Sequence, residues 1–190
     1  MARKSDTKRS EDTKLKELII YLSVLSEGDK NFGATKLNKL LFYCDFMAFL
    51  RFGKSITGHD YQALPQGPAP KRMKPILEQM KKSGEIGIRE EAVHGFRRLR
   101  TVSIRTADLS KFTGAEVDLI HETITRFWNF NASEISDKSH EFLGWQLGVS
   151  GETIPYSVAL IGARKPTEEE YERGRNLQRL AANYLAGKGR

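Results

Sequence analysis

The residues that could carry chemistry in this chain are its single cysteine and its four histidines. A catalytic cysteine needs a stabilised thiolate, but Cys44 lies within an apolar helical pattern, which predicts a buried and inert thiol. No two histidines have the H-E-x-x-H spacing, and one cysteine cannot complete a structural zinc site. No phosphate-binding glycine motif is present either. We therefore expect no catalytic residue, no metal and no cofactor, and predict a protein that is not an enzyme. The histidines are His59, His94, His121 and His140.

The size and composition of the chain favour one domain with short flanks. It has 190 residues, of which 39% are hydrophobic, enough for a substantial core. No apolar run reaches the roughly 18 residues that a membrane span needs, and the polar N-terminus does not look like a signal peptide. These features predict a cytoplasmic protein with no membrane contact.

The most informative element is a predicted helix over residues 36–52. Its apolar side chains cover almost the whole circumference, which is typical of a central helix packed on several sides. Asp45 lies on this helix and needs a partner, so we expect it to order a neighbouring backbone segment or cation. Lys36 and Lys39 are expected at the surface.

Other patterns surround this helix with further elements. Residues 12–27 show helical periodicity, residues 85–105 alternate as a β-hairpin, and residues 113–116 form a capping-box pattern. The fold class predicted is α+β and mostly helical: about six helices around a central apolar helix, with a small antiparallel sheet or hairpin. The predicted organisation is a disordered tail at 1–11, a domain at 12–165, and an amphipathic C-terminal helix at 166–190 packed on the core or on a partner.

The net charge of +7 permits contact with nucleic acid without requiring it. Much of the excess lies in residues 71–111, and four arginines of the predicted hairpin stand near Phe96. Basic and aromatic residues together are typical of a nucleic-acid surface. The same pattern fits a strand with one solvated face, or a surface for an acidic partner protein. The candidate basic surface consists of Arg97, Arg98, Arg100 and Arg105.

Several short motifs follow one another in a fixed order. They are a K-L-x-K-L-L-F-Y-x-D helix from Lys36, a G-x-x-I-T-G element ending at Gly58, a Y-x-A strand from Tyr61, a G-P turn and a late S-H-x-x-x-x-W. Together they resemble the Panacea domain of the SocA-like antitoxin family. The turn has Ala69 where the family has valine, and the matching region spans about residues 13–147. The motif residues, structural or toxin-binding, are Lys36, Leu37, Lys39, Leu40, Tyr43, Asp45, Gly58, Tyr61, Gly67, Pro68, His140 and Trp145.

The resemblance implies an antitoxin that binds and neutralises a cognate protein toxin in a toxin–antitoxin or phage-defence system. Such a toxin could be a small alarmone-synthetase-like enzyme or another translation inhibitor, and the chain could form a homo-oligomer or a hetero-oligomer with it. Two alternatives stay open: a basic nucleic-acid-binding transcriptional regulator, and an adaptor that delivers a toxin to a protease. Among the motif residues, the leucines are expected in the core, Gly58, Gly67 and Pro68 in turns, and His140 with Trp145 in a packed pair.

Overall fold

The structure, a computed structural model, describes residues 2–93, 95–161 and Glu172, with side chains from Asp12 onward. Three parts of the sequence prediction lie outside these residues. They are His94, the end of the predicted domain at 162–165, and the predicted C-terminal helix at 166–190 apart from Glu172. The α-helices are α1 (Ala2–Leu25), α2 (Ala34–Phe52), α3 (Met73–Lys82), α4 (Gly114–Phe127), α5 (Ala132–His140) and α6 (Leu143–Gln146). The strands are β1 (Tyr61–Gln62), β2 (Ala69–Pro70), β3 (Ile86–Val93), β4 (Phe96–Ser103) and β5 (Thr153–Ile154), and 3₁₀ helices span Leu109–Lys111 and Tyr156–Leu160.

The described residues confirm the predicted fold class, because six α-helices accompany small antiparallel sheets. One sheet has the strand order β2-β1-β5, and each of its strands is two residues long. The other is the β3–β4 hairpin, in which Ile86 faces Ser103 and Val93 faces Phe96. The hairpin therefore lies where the alternation predicted it, at residues 85–105.

The first helix begins earlier than predicted. α1 starts at Ala2, so residues 2–11 are helical where the sequence predicted a disordered tail. These residues are polar but include neither glycine nor proline, and a helix adds residues readily once its nucleus exists. That nucleus is the second half of α1, where Leu15, Leu18, Ile19 and Leu22 are fully buried.

Helix α2 is the centre of the domain, as predicted. Its apolar side chains are buried on several sides, and they include Leu37, Leu40, Leu41, Phe42, Cys44 and Phe46. Gly53 ends the helix in the left-handed conformation at φ 69°, which glycine adopts without steric cost. Because α1, α4 and α5 all pack on α2, side chains from distant parts of the sequence meet around it.

Candidate functional site

The carboxylate of Asp45 organises the loop that follows α2. It is fully buried, and it accepts hydrogen bonds from Thr57 N at 2.7 Å, Thr57 Oγ1 at 2.5 Å and the Tyr61 hydroxyl at 2.8 Å. Burial raises the pKa of Asp45, and the donors of Thr57 and Tyr61 oppose that rise. The aspartate therefore orders a neighbouring backbone segment, as its position in an apolar helix predicted.

The same loop is fastened at its other residues. Gly58 has φ 76°, and its amide donates to Ser55 Oγ at 3.1 Å. The ring of His59 is hydrogen-bonded through Nε2 to the carbonyl oxygen of Lys71 at 2.7 Å. The hydroxyl of Tyr156 donates to the carbonyl oxygen of His59 at 2.6 Å, which ties the loop to the 3₁₀ helix at Tyr156–Leu160. His59 is thus a packing residue within the described fold.

Lys36 is buried, which corrects the expectation that it lies at the surface. Only 1% of the residue is exposed, and its Nζ stands 2.6 Å from Asp29 Oδ2. The ammonium also donates to the carbonyl oxygens of Trp128 and Phe130, at 2.8 and 2.7 Å. A buried ammonium is tolerated because one carboxylate and two carbonyls replace its water. Lys36 therefore joins the start of α2 to the turn between α4 and α5.

Lys39 is also buried rather than exposed. Its Nζ donates to the carbonyl oxygen of Pro68 at 2.9 Å, and only 2% of the residue is accessible. Desolvation by burial lowers the pKa of Lys39 to about 7. The amine braces the Gly67-Pro68 turn against α2, so this motif lysine acts inside the fold.

Gly67 allows that close approach. It has φ 92°, and a Cβ at this position would stand 2.8 Å from Lys39 Nζ and collide with Ser139 Oγ. The turn is also held from the other side, because Trp145 Nε1 donates to the carbonyl oxygen of Leu64 at 2.8 Å. The ring of Trp145 stacks on His140, with centroids 3.8 Å apart and planes at 16°. This stack is the packed pair that the sequence predicted.

A cavity of about 270 Å³ opens beside Lys39 and the Gly67-Pro68 turn. Asn38 lines it, and the buried Asn38 Oδ1 has no hydrogen-bond partner among the described residues.

Cys44 is buried elsewhere in α2, and burial raises the pKa of its thiol far above the ordinary value, so the thiolate is suppressed. In the described part of the chain, no group of three or more His, Cys, Asp or Glu side chains could hold a metal ion.

Arg100 is a structural residue, which corrects the prediction that it belongs to a basic interaction surface. It is only 5% exposed, although its neighbour Leu99 is 40% exposed. Its guanidinium donates to four carbonyl oxygens in the loop that follows α1. They belong to Ser26 at 2.9 Å, Glu27 at 2.6 Å, Asp29 at 2.9 Å and Phe32 at 3.3 Å. The carbonyl oxygens of Ser26 and Asp29 also accept from backbone amides, so Arg100 adds a charged donor to this loop and ties β4 to it.

The other three arginines of the predicted basic surface are paired with carboxylates. Arg105 donates to Glu17 at 2.6 and 2.8 Å and to Glu85 at 2.8 Å. Arg98 contacts Glu91 and donates to the carbonyl oxygen of Lys30, whereas Arg97 is paired with Glu90 at 2.5 Å. Only Arg97 has a largely exposed side chain, at 68%. The four arginines therefore do not form the continuous free basic surface that the sequence suggested.

A groove of about 730 Å³ lies between the tip of the β3–β4 hairpin and the N-terminal ends of α2 and α5. Phe96 stands in its rim and is 79% exposed, the highest exposure among the large apolar side chains that the structure describes. Sequence patterning placed Phe96 near the arginines but gave no sign of the groove, because its walls come from three separate stretches of chain. The groove is lined by Asn31, Gly33–Lys36, Val93, Phe96–Leu99 and 131–133.

The family model of the antitoxin SocA-like, Panacea domain matches residues 37–146. This range runs from α2 to the end of α6, and it includes the Asp45 loop, the Gly67-Pro68 turn and the β3–β4 hairpin. No curated protein and no solved structure matches the chain significantly. Within the described part of the chain, no helix combines the length and apolar character needed to cross a membrane.

Proposed function

This chain belongs to the antitoxin SocA-like, Panacea-domain family, and from that membership we propose that it binds a cognate protein toxin and neutralises it by direct contact. The family match is the observation that carries the proposal, because it covers the central helix, the hairpin and the late His140–Trp145 motif. A toxin partner follows in general from membership of an antitoxin family.

The positions of the motif residues support binding rather than catalysis. Lys36, Lys39, Asp45 and Tyr61 are all buried, and each contacts backbone or side-chain atoms of the same chain. These residues stabilise the domain, so a partner must instead contact exposed side chains of the same domain. We therefore propose that the chain has no catalytic activity of its own and acts in the cytoplasm.

The toxin we propose inhibits translation, as a small alarmone-synthetase-like enzyme does. Neutralisation by contact requires a stable hetero-oligomer, which buries on the order of 1,600 Å² or more. The chain is basic, with a charge of +7, which favours a toxin whose contact face is acidic.

Co-expression with the protein encoded by the adjacent gene tests the proposal. Induction of the neighbour alone should stop growth, and the present chain should restore growth and co-purify with the toxin. Leu41→Asp is the control, because it places a charge at a fully buried position and should abolish both effects together with the fold. If the folded chain neither restores growth nor binds the neighbour, the proposal is wrong. A toxin that disappears by proteolysis only when the chain is present would indicate an adaptor instead.

A further inference from the structure

The face of β4 that points toward α1 carries two anchored side chains and, nearer the tip of the hairpin, one free side chain. Residues 96, 98 and 100 share one face of the strand, because side chains alternate along it. Arg100 is bonded to the carbonyls at the end of α1, and Arg98 Nη1 donates to the carbonyl oxygen of Lys30 in the next loop. Phe96, two residues nearer the tip, extends beyond these contacts and is 79% exposed. The two arginines therefore hold an aromatic ring out at the edge of the body.

The ring of Phe96 forms one apolar rim of the groove. Val93 faces it across the hairpin, so the two side chains project from the same face of the sheet. Gly33 at the start of α2 forms the opposite wall, where a Cβ would stand only 2.8 Å from Cγ of Arg98. The groove of about 730 Å³ is large enough for several side chains of a partner segment.

The charge of the groove is positive. No residue among those that line it is acidic. Arg97 lines the groove from the face of β4 opposite to Phe96. Its pair with Glu90 is exposed on both sides, so the pair contributes little, and the long Arg97 side chain can exchange Glu90 for another carboxylate. Arg98 and Lys36 also line the groove, although they are already paired with Glu91 and Asp29. The groove therefore suits a segment with an apolar side and a carboxylate.

We propose that this groove is where the chain binds its toxin, and that the bound part is an acidic, amphipathic segment of the toxin. Its apolar side chains pack on Phe96 and Val93, and a carboxylate pairs with Arg97. This inference rests on the proposed function and adds the contact face and the chemistry of the partner. Nucleic acid is the less suitable occupant, because a phosphate backbone needs a row of free cations and Arg98, Arg100 and Arg105 are committed to contacts within the chain.

Substitutions at exposed positions test the groove without disturbing the core. The toxin encoded by the adjacent gene, purified as an inactive variant, is titrated against the wild-type chain and its variants. Phe96→Asp should weaken binding at least about 30-fold, as loss of a central aromatic contact does, and Arg97→Glu about tenfold. Leu147→Asp is the matched control: this leucine is 73% exposed outside the groove, and its variant should bind within threefold of wild type.

The outcomes separate the groove from the proposed function. Wild-type chain that fails to bind the toxin overturns both. If the wild-type chain and Phe96→Asp bind the toxin equally well, and circular dichroism shows that both are folded, only the groove proposal is overturned. The groove proposal is also overturned if Leu147→Asp loses toxin binding and Phe96→Asp does not. It is overturned again if the wild-type chain binds a duplex DNA or single-stranded RNA probe, and Phe96→Asp abolishes that binding but keeps toxin binding. Selective loss of toxin binding in Phe96→Asp supports the groove.

Discussion

The buried ammonium of Lys39 donates a hydrogen bond to the carbonyl oxygen of Pro68, with 2.9 Å between the two atoms. This contact joins the central helix to the Gly67-Pro68 turn, which Ser139 and Trp145 approach from the other side. Because Lys39 is buried in this contact, its ionisation changes the free energy of unfolding, which can be measured.

Lys39 makes stability depend on pH. Its pKa falls from 10.5 to about 7 on burial, so between these values the unfolded chain binds more protons at this amine than the folded chain does. The free energy of unfolding therefore rises with pH in that window, by up to about 1.4 kcal/mol per pH unit. Lys39→Met should lack this rise when urea unfolding is measured between pH 7 and pH 9.5. Parallel pH profiles for the two proteins would contradict the burial of the amine.

Gly67→Ala should destabilise the chain more than an equivalent change at a free turn. The new Cβ would collide with Ser139 Oγ and stand 2.8 Å from Lys39 Nζ, in addition to the strain of φ 92°. Gly84→Ala is the control, because it has φ 72° but no atom within 4 Å of its Cβ position. We expect losses of about 3 kcal/mol at Gly67 and about 1 kcal/mol at Gly84 by chemical denaturation. Equal losses would mean that the turn is not closely packed.

Asp45→Asn should cost about 2–4 kcal/mol of unfolding free energy. The amide nitrogen must replace either Oδ1, which accepts from the Thr57 amide, or Oδ2, which accepts from the Thr57 and Tyr61 hydroxyls, so at least one buried donor loses its acceptor. Tyr61→Phe removes only one of these donors and should cost about 1 kcal/mol. Guanidinium unfolding of both variants and of the double variant measures their coupling. If the two losses add without coupling, the aspartate and the tyrosine do not act together.

Arg100→Met should destabilise the fold by about 2–4 kcal/mol, because four carbonyl oxygens in the loop after α1 lose a charged donor, and those of Ser26 and Asp29 keep only a backbone amide. Arg97→Met is the control at an exposed position of the same strand, and its unfolding free energy should stay within about 0.5 kcal/mol of wild type. Thermal unfolding followed by circular dichroism distinguishes the two. An unchanged melting temperature for Arg100→Met would show that the hairpin is not anchored through this residue.

Sequence patterns predicted the elements of the fold better than the roles of its charged residues. The apolar circumference of the segment after Lys36 predicted the central helix, and alternation predicted the β3–β4 hairpin. Periodicity is a local property, so it can be read along one stretch of chain. It also identified Cys44 as buried and Asp45 as a residue in need of a partner, both of which the structure confirms.

The sequence could not show which charged side chains lie inside. Lys36 and Lys39 are buried because Asp29 and the carbonyl of Pro68 meet them from other segments, and no local pattern signals such contacts. On β4 the expectation for Arg100 was wrong, since Arg100 is buried while its neighbour Leu99 is 40% exposed. The alternation along a strand predicts which residues share a face. Which of the two faces packs on the rest of the domain depends on the loop at the end of α1, more than 70 residues earlier in the sequence.

The anchoring of β4 by Arg98 and Arg100 has a kinetic consequence. Because both side chains fix the strand to the main body, the rim that carries Phe96 is ordered before any partner binds, and the proposed toxin complex would avoid that loss of conformational entropy. Association should then proceed as rigid-body docking, at a rate governed by diffusion and charge steering rather than by a folding step.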